Sequence, residues 1–83
     1  MKYELFTRVA LGTDLPEQGL RRGDVAKVVE HHPGRGGQEP GYSLEVFNAI
    51  GETIAVITVR ESQVAPLTSK ELLHVRPLTE AVG

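Results

Sequence analysis

The chain has no cysteine among its 83 residues. Without thiols, neither disulfides nor thiolate metal sites can staple the fold, and nothing points to an oxidising compartment. Aromatic side chains are scarce as well: Tyr3, Phe6, Tyr42 and Phe47 are the whole set. The core must therefore be thin and built chiefly from Val, Leu and Ile. Neither sign of charge dominates, since nine Lys and Arg against eleven Asp and Glu leave a formal net charge of -2. No excess positive field draws the chain toward nucleic acid phosphates. No stretch approaches the roughly 20 apolar residues that cross a bilayer, and Met1-Lys2-Tyr3-Glu4-Leu5 lacks the apolar run of a signal peptide. The expectation is a cytoplasmic chain without membrane contact.

What remains is room for one small domain, which buries only about 60% of its unfolded surface. The pattern assigns residues 1–78 to that domain and leaves 79–83 as a frayed tail. Leu5, Thr7, Val9 and Leu11 alternate with Phe6, Arg8 and Ala10, a period of two that predicts a first strand over Leu5–Leu11. Gly12–Gly23 holds Asp14, Pro16, Gly19 and Gly23 and reads as a long ordered loop. Val25, Val28 and Val29 favour a strand over Asp24–His31, with a bulge where Val28 and Val29 both ask to be buried. Pro33–Gly41 cannot offset its ordering entropy and reads as a mobile hairpin tip.

Tyr42–Phe47 alternates as a third strand, Asn48–Gly51 forms a turn, and the β-branched run Thr53–Val59, apolar on both faces, reads as a central strand. Val64–Leu67 offers a short edge piece ended by Pro66. Thr68–Glu71 suits a single helical or 3-10 turn, and Leu73–Leu78 is the last strand candidate. Either of those two segments can close the sheet. Together they describe an all-β, five-stranded SH3-like barrel with a long loop after the first strand and one turn before the last.

The run Asp14-Leu15-Pro16-Glu17-Gln18-Gly19-Leu20-Arg21-Arg22-Gly23-Asp24-Val25, with Tyr42–Phe47, Gly51–Thr53 and Val75–Leu78, resembles a family of short bacterial domains of unknown function. The resemblance implies a stand-alone SH3-like barrel with no catalytic residues to carry over, and a companion protein, a toxin among the suspected ones. Leu20–Val28 is also similar to the KOW segment of ribosomal proteins and elongation factors, where a loop meets RNA or polymerase. Ala26 stands where that pattern prefers glycine, the residue that permits close backbone approach.

Residues that could carry chemistry are few. His31, His32 and His74 are the only imidazoles; His31 and His32 are adjacent, so on a strand they point to opposite faces and do not readily share one metal. Gly34-Arg35-Gly36-Gly37 lacks the Lys-Ser/Thr pair and following helix of a phosphate cradle. Ser43, Ser62 and Ser69 stand in no nucleophile context. The carboxylates Asp14, Glu17, Asp24 and Glu30 show no environment that separates two pKa values. The sequence predicts no enzyme, no cofactor and no metal site.

Two functions of different class remain. One is a protein-interaction module that uses Asp14, Leu15, Pro16 and Leu20 of the loop beside Tyr42 and Phe47, since apolar residues in a fixed loop either plug the barrel mouth or form a binding surface. An antitoxin-like role beside a companion protein is its specific form. The other is binding of RNA or of the transcription and translation machinery through Arg21, Arg22, Lys27 and Arg35. A homodimer formed along the Leu73–Leu78 edge accords with either.

Overall fold

The structure, a computed structural model, describes residues 1–78. Among the described residues five strands follow in chain order: β1 Arg8–Leu11, β2 Val25–His32, β3 Gly41–Phe47, β4 Thr53–Arg60 and β5 Val64–Ala65. Every pairing is antiparallel, and the order across the sheet is β4-β3-β2-β1-β5. The only helical elements among the described residues are two 3-10 turns, Pro16–Gln18 and Glu61–Gln63. The sheet curls into a half-barrel consistent with a small SH3-like fold. The hydrogen-bonded ladder does not close, because β4 and β5 end the order without pairing to each other.

The period-two pattern aims one face of each strand inward. Val9 and Leu11, Ala26 and Val28, Leu44 and Val46, Ile57 and Val59, and Val64 form one core with Tyr3, Leu20 and Tyr42. Burying an aliphatic side chain of this size contributes about 1.5–3 kcal/mol. The core is one layer deep, as the shortage of aromatics dictates. The bulge falls where two adjacent valines compete: the β2 register shifts between Val28 and Glu30, so Val28 is buried and Val29 half-buried. Gly51 takes φ 86° in the β3–β4 turn, which glycine adopts without steric cost.

The start of β1, the place of β4 in the sheet and the identity of the closing strand differ from the periodicity. β1 starts at Arg8 and not at Leu5, because Phe6 has φ 65° and a left-handed residue breaks the pleat. Phe6 is left 69% exposed, while its N–H still bonds Val28 O at 2.6 Å. β4 is an edge strand and not a central one. Its β-branched run reports strand propensity, which does not count neighbours, and Ile54 and Val56 face outward. The closing strand is Val64–Ala65, and Leu73–Leu78 forms no strand. Pro66 has no amide for the ladder and ends β5.

The turn before the last strand is Glu61–Gln63, not Thr68–Glu71. The latter makes a lone turn in which Glu71 N–H bonds Thr68 O at 3.2 Å and Thr68 N–H bonds Glu71 Oε1 at 2.7 Å. The expected frayed tail, 79–83, lies outside the described residues.

Two tyrosines sew the amino-terminal residues to the sheet and to the Glu61–Gln63 turn. The fully buried Tyr42 hydroxyl accepts from Lys2 N–H at 3.2 Å and Tyr3 N–H at 3.1 Å and donates to Glu61 Oε2 at 2.8 Å. The Tyr3 hydroxyl donates to Val64 O at 3.0 Å, and the two rings meet edge to face at 5.5 Å, the geometry aromatic quadrupoles favour. Burial raises the Tyr42 pKa above the usual phenol value; the Tyr3 N–H opposes this and the Glu61 carboxylate adds to it.

Close backbone approach explains one glycine that conformation does not. A Cβ on Gly41 would lie 2.7 Å from Val59 O, across the β3–β4 pair. Gly41→Ala must push the strands apart, an overpacking cost of about 1–3 kcal/mol. Thermal unfolding should show the corresponding fall in Tm.

Candidate functional site

The loop from Gly12 to Gly23 is held from within. Leu15 and Leu20 pair as an isolated bridge, with N–H to O distances of 2.9 and 3.1 Å. Pro16 pre-sets φ at the first position of the 3-10 turn, and Gly19 closes it at φ 70° with its N–H on Pro16 O. Asp14 Oδ1 accepts from Arg22 N–H at 2.9 Å, and Asp24 Oδ2 accepts from Arg21 N–H at 2.8 Å. Leu20 enters the core at 4% exposure, and half-buried Leu15 packs against that core. These bonds and the buried leucine together define the shape of the loop.

Its outer side faces the sheet edge. Leu15, Pro16, Glu17 and Gln18 stand opposite Thr58 and Gln63 across an open groove of about 290 Å³. Gln63 is fixed there because its Oε1 accepts Arg60 N–H at 2.9 Å while its backbone O accepts Gly12 N–H at 2.8 Å. The Glu61–Gln63 turn is tied in turn to the β2–β3 hairpin. Glu61 N–H bonds Pro40 O at 2.9 Å, and Ser62 N–H bonds Glu39 Oε1 at 2.8 Å. That bond from the Ser62 amide holds the Glu39 carboxyl below its usual pKa.

The structure distributes the candidate residues unevenly. Leu15 and Pro16 line the groove. Asp14 is exposed and occupied with the Arg22 amide. Leu20 and Tyr42 lie in the core and present no surface. Phe47 is half-buried at the end of β3, with Lys27 Nζ 5.5 Å from its ring centroid. Glu17, Gln18, Thr58 and Gln63 complete the groove and were not singled out by sequence. Thr58 had one signal, a polar side chain between Ile57 and Val59; Gln63 had none, because its place depends on a 3-10 turn.

The four basic residues sit on three separate elements. Arg21 and Arg22 end the long loop, with their amides on Asp24 and Asp14. Lys27 is on β2, 3.8 Å from Glu45 Oε1. Arg35 is in the β2–β3 hairpin, where its O accepts Gln38 N–H. The histidines also part: the His31 ring packs on Tyr42 at 5.3 Å, and His32 Nε2 lies 2.8 Å from Ser43 Oγ. Among the described residues no three His, Cys, Asp or Glu side chains gather as a metal site. No helix among them is long and apolar enough to cross a membrane.

A second tie acts on the loop from the carboxyl side. Arg76 Nε donates to Asp24 Oδ1 at 3.0 Å, its terminal nitrogen to Asp24 Oδ2, and that same nitrogen to Gly19 O at 3.2 Å. Burial pushes the Asp24 carboxyl upward, but the Arg76 guanidinium and the Arg21 amide outweigh it and hold the pKa below the usual carboxylate value. Leu72, Leu73, Val75 and Leu78 around the anchor are exposed.

The family model described as Domain of unknown function (DUF4926) matches residues 5–66, and the chain belongs to that family. The match takes in all five strands and the groove residues. Neither the curated proteins nor the solved structures contain a match to the chain.

Because the folded-state pKa of Asp24 is depressed, its contribution to stability is present above the unfolded value and lost as pH falls through the folded one. Arg76→Ala should cost about 1 kcal/mol and raise the mobility of 72–78 in ¹⁵N relaxation at neutral pH. Wild type should show the same release only below the ordinary carboxylate range, and the variant should show no such acid step.

Proposed function

We propose that this member of the DUF4926 family is a non-enzymatic protein-interaction module of the bacterial cytoplasm that docks a partner in the groove between the long loop and the end of β4. One observation carries this reading. The loop's outer residues are exposed, yet the loop itself is fixed by a core leucine, an internal bridge and two carboxylate–amide bonds. A surface so held loses little conformational entropy when a partner settles on it.

The groove suits a side chain that is both apolar and cationic. Leu15 and Pro16 give apolar contact, Gln18, Thr58 and Gln63 give hydrogen bonds, and Glu17 is its one charge. The specific form of the proposal is an antitoxin-like role, in which the partner is a companion protein neutralised by this contact. The RNA-binding alternative has less support, since its four cations are spread over three elements and Lys27 Nζ lies 3.8 Å from Glu45 Oε1.

Glu17→Arg and Gln18→Arg change exposed positions and should leave stability within about 0.5 kcal/mol. Affinity capture from the source organism should recover a partner with wild type and lose it with these variants, at low and at physiological salt. Equal recovery by the variants would remove the groove from the account. Recovery that instead tracks ionic strength and disappears with nuclease would favour the RNA alternative.

A further inference from the structure

The two ends of the sheet are treated differently. β5 is two residues long and followed by Pro66, so it offers almost no free ladder. β4 has eight residues, no proline, no lysine, and one charge, Arg60, at its end. Glu61 N–H bonds Pro40 O, which continues the register Arg60↔Gly41, Val59↔Tyr42, Ile57↔Leu44. Hydrogen-bonded pairs alternate along an antiparallel ladder, so Ile57 and Val59 direct their amides to β3, and Val56 and Thr58 direct theirs away from it. The register shift between Val46 and Phe47 ends the regular ladder on one side. On the other, Gln63 Oε1 already takes the Arg60 N–H. A short free stretch, Val56 to Thr58, is thereby bounded at both ends.

From this geometry we infer that the chain forms a homodimer by antiparallel pairing of β4 with β4 of a second copy. The two-fold axis passes through Ile57, and Val56 of each copy lies opposite Thr58 of the other. In that register each of these residues turns its N–H and C=O toward the partner strand, as an isologous contact requires. Val56, 64% exposed, and Ile54, 39% exposed, gain cover on the outer face, and the aliphatic stem of Arg60 lies over Ile54 of the other copy. Antiparallel pairing also brings the Arg60 end of each strand to the end of the other that begins after Glu52. Parallel pairing would set like charges together. The edge foreseen at Leu73–Leu78 plays no part. Thr58 belongs both to this edge and to the groove, so the two contacts meet at that residue, whereas Val56 lies outside the groove and reports on the dimer alone.

Sedimentation equilibrium on the full chain tests it. The weight-average mass should climb with concentration toward twice the monomer mass, and Val56→Lys should weaken association about tenfold or more, since a lysine is the usual guard of a free edge. Val56 is exposed, so its replacement leaves the core intact, and circular dichroism should confirm an unchanged fold. Amide exchange at Val56 and Thr58 should slow as the dimer fills, while exchange in β5 should not. A chain that stays monomeric up to its solubility limit overturns the inference. So does a dimer that Val56→Lys leaves as tight, or one that leaves those two amides unprotected. Loss of partner capture by the groove variants with dimerisation intact would leave both proposals standing, and dimer failure with capture intact would remove only this one.

Discussion

The Tyr42 hydroxyl is the point at which distant parts of this chain are tied together. It takes two backbone N–H groups from Lys2 and Tyr3 and gives its proton to Glu61, with no exposure to solvent. A buried donor or acceptor without a partner costs about 1–3 kcal/mol, so each of these groups needs the others. The Glu61 side chain fixes the 3-10 turn that follows β4, and this turn places Gln63. Gln63 then caps the Arg60 amide and receives the Gly12 N–H with its backbone. One phenol in a thin core thus sets where the long loop leaves the sheet and how far the free edge of β4 extends.

That dependence links a small fold to a usable surface. A core of aliphatic side chains one layer deep cannot by itself orient a twelve-residue loop; non-directional burial has no preference among loop shapes. Directional bonds do. Asp14 and Asp24 each satisfy a loop amide, Leu15 and Leu20 bond each other, and Arg76 holds Asp24 and Gly19 from outside. The groove at Leu15, Pro16, Glu17, Gln18, Thr58 and Gln63 results from these bonds as much as from packing.

Much of the fold was legible in the sequence, for identifiable reasons. β-branched valines placed β2 and alternation placed β3, each within a residue of where it lies, the adjacent valines announced the β2 bulge, and Asn48–Gly51 announced the turn. Phe6 in a left-handed turn was not legible, since nothing in a phenylalanine signals positive φ. The position of β4 at the edge was hidden because strand propensity is the same with one neighbour or two. The last strand was ambiguous between two segments that each carry a proline, and the closing one is fixed by pairing of Val64 and Ala65 with Leu11 and Ala10, to which Tyr3 adds a bond across 61 residues. For the site, the loop and its Leu15 and Pro16 were legible, while Tyr42 and Leu20 proved to be interior. An apolar residue in a patterned segment looks the same whether it plugs the core or faces a partner.

The most direct test of this account is the equilibrium stability of Tyr42→Phe, which removes one oxygen and no packing. If the hydroxyl is the tie described, the variant loses about 1–3 kcal/mol, and hydrogen exchange quickens at Tyr3 and across the Glu61–Gln63 turn more than in β2. A variant within about 0.5 kcal/mol of wild type, with exchange in those segments unchanged, would contradict it.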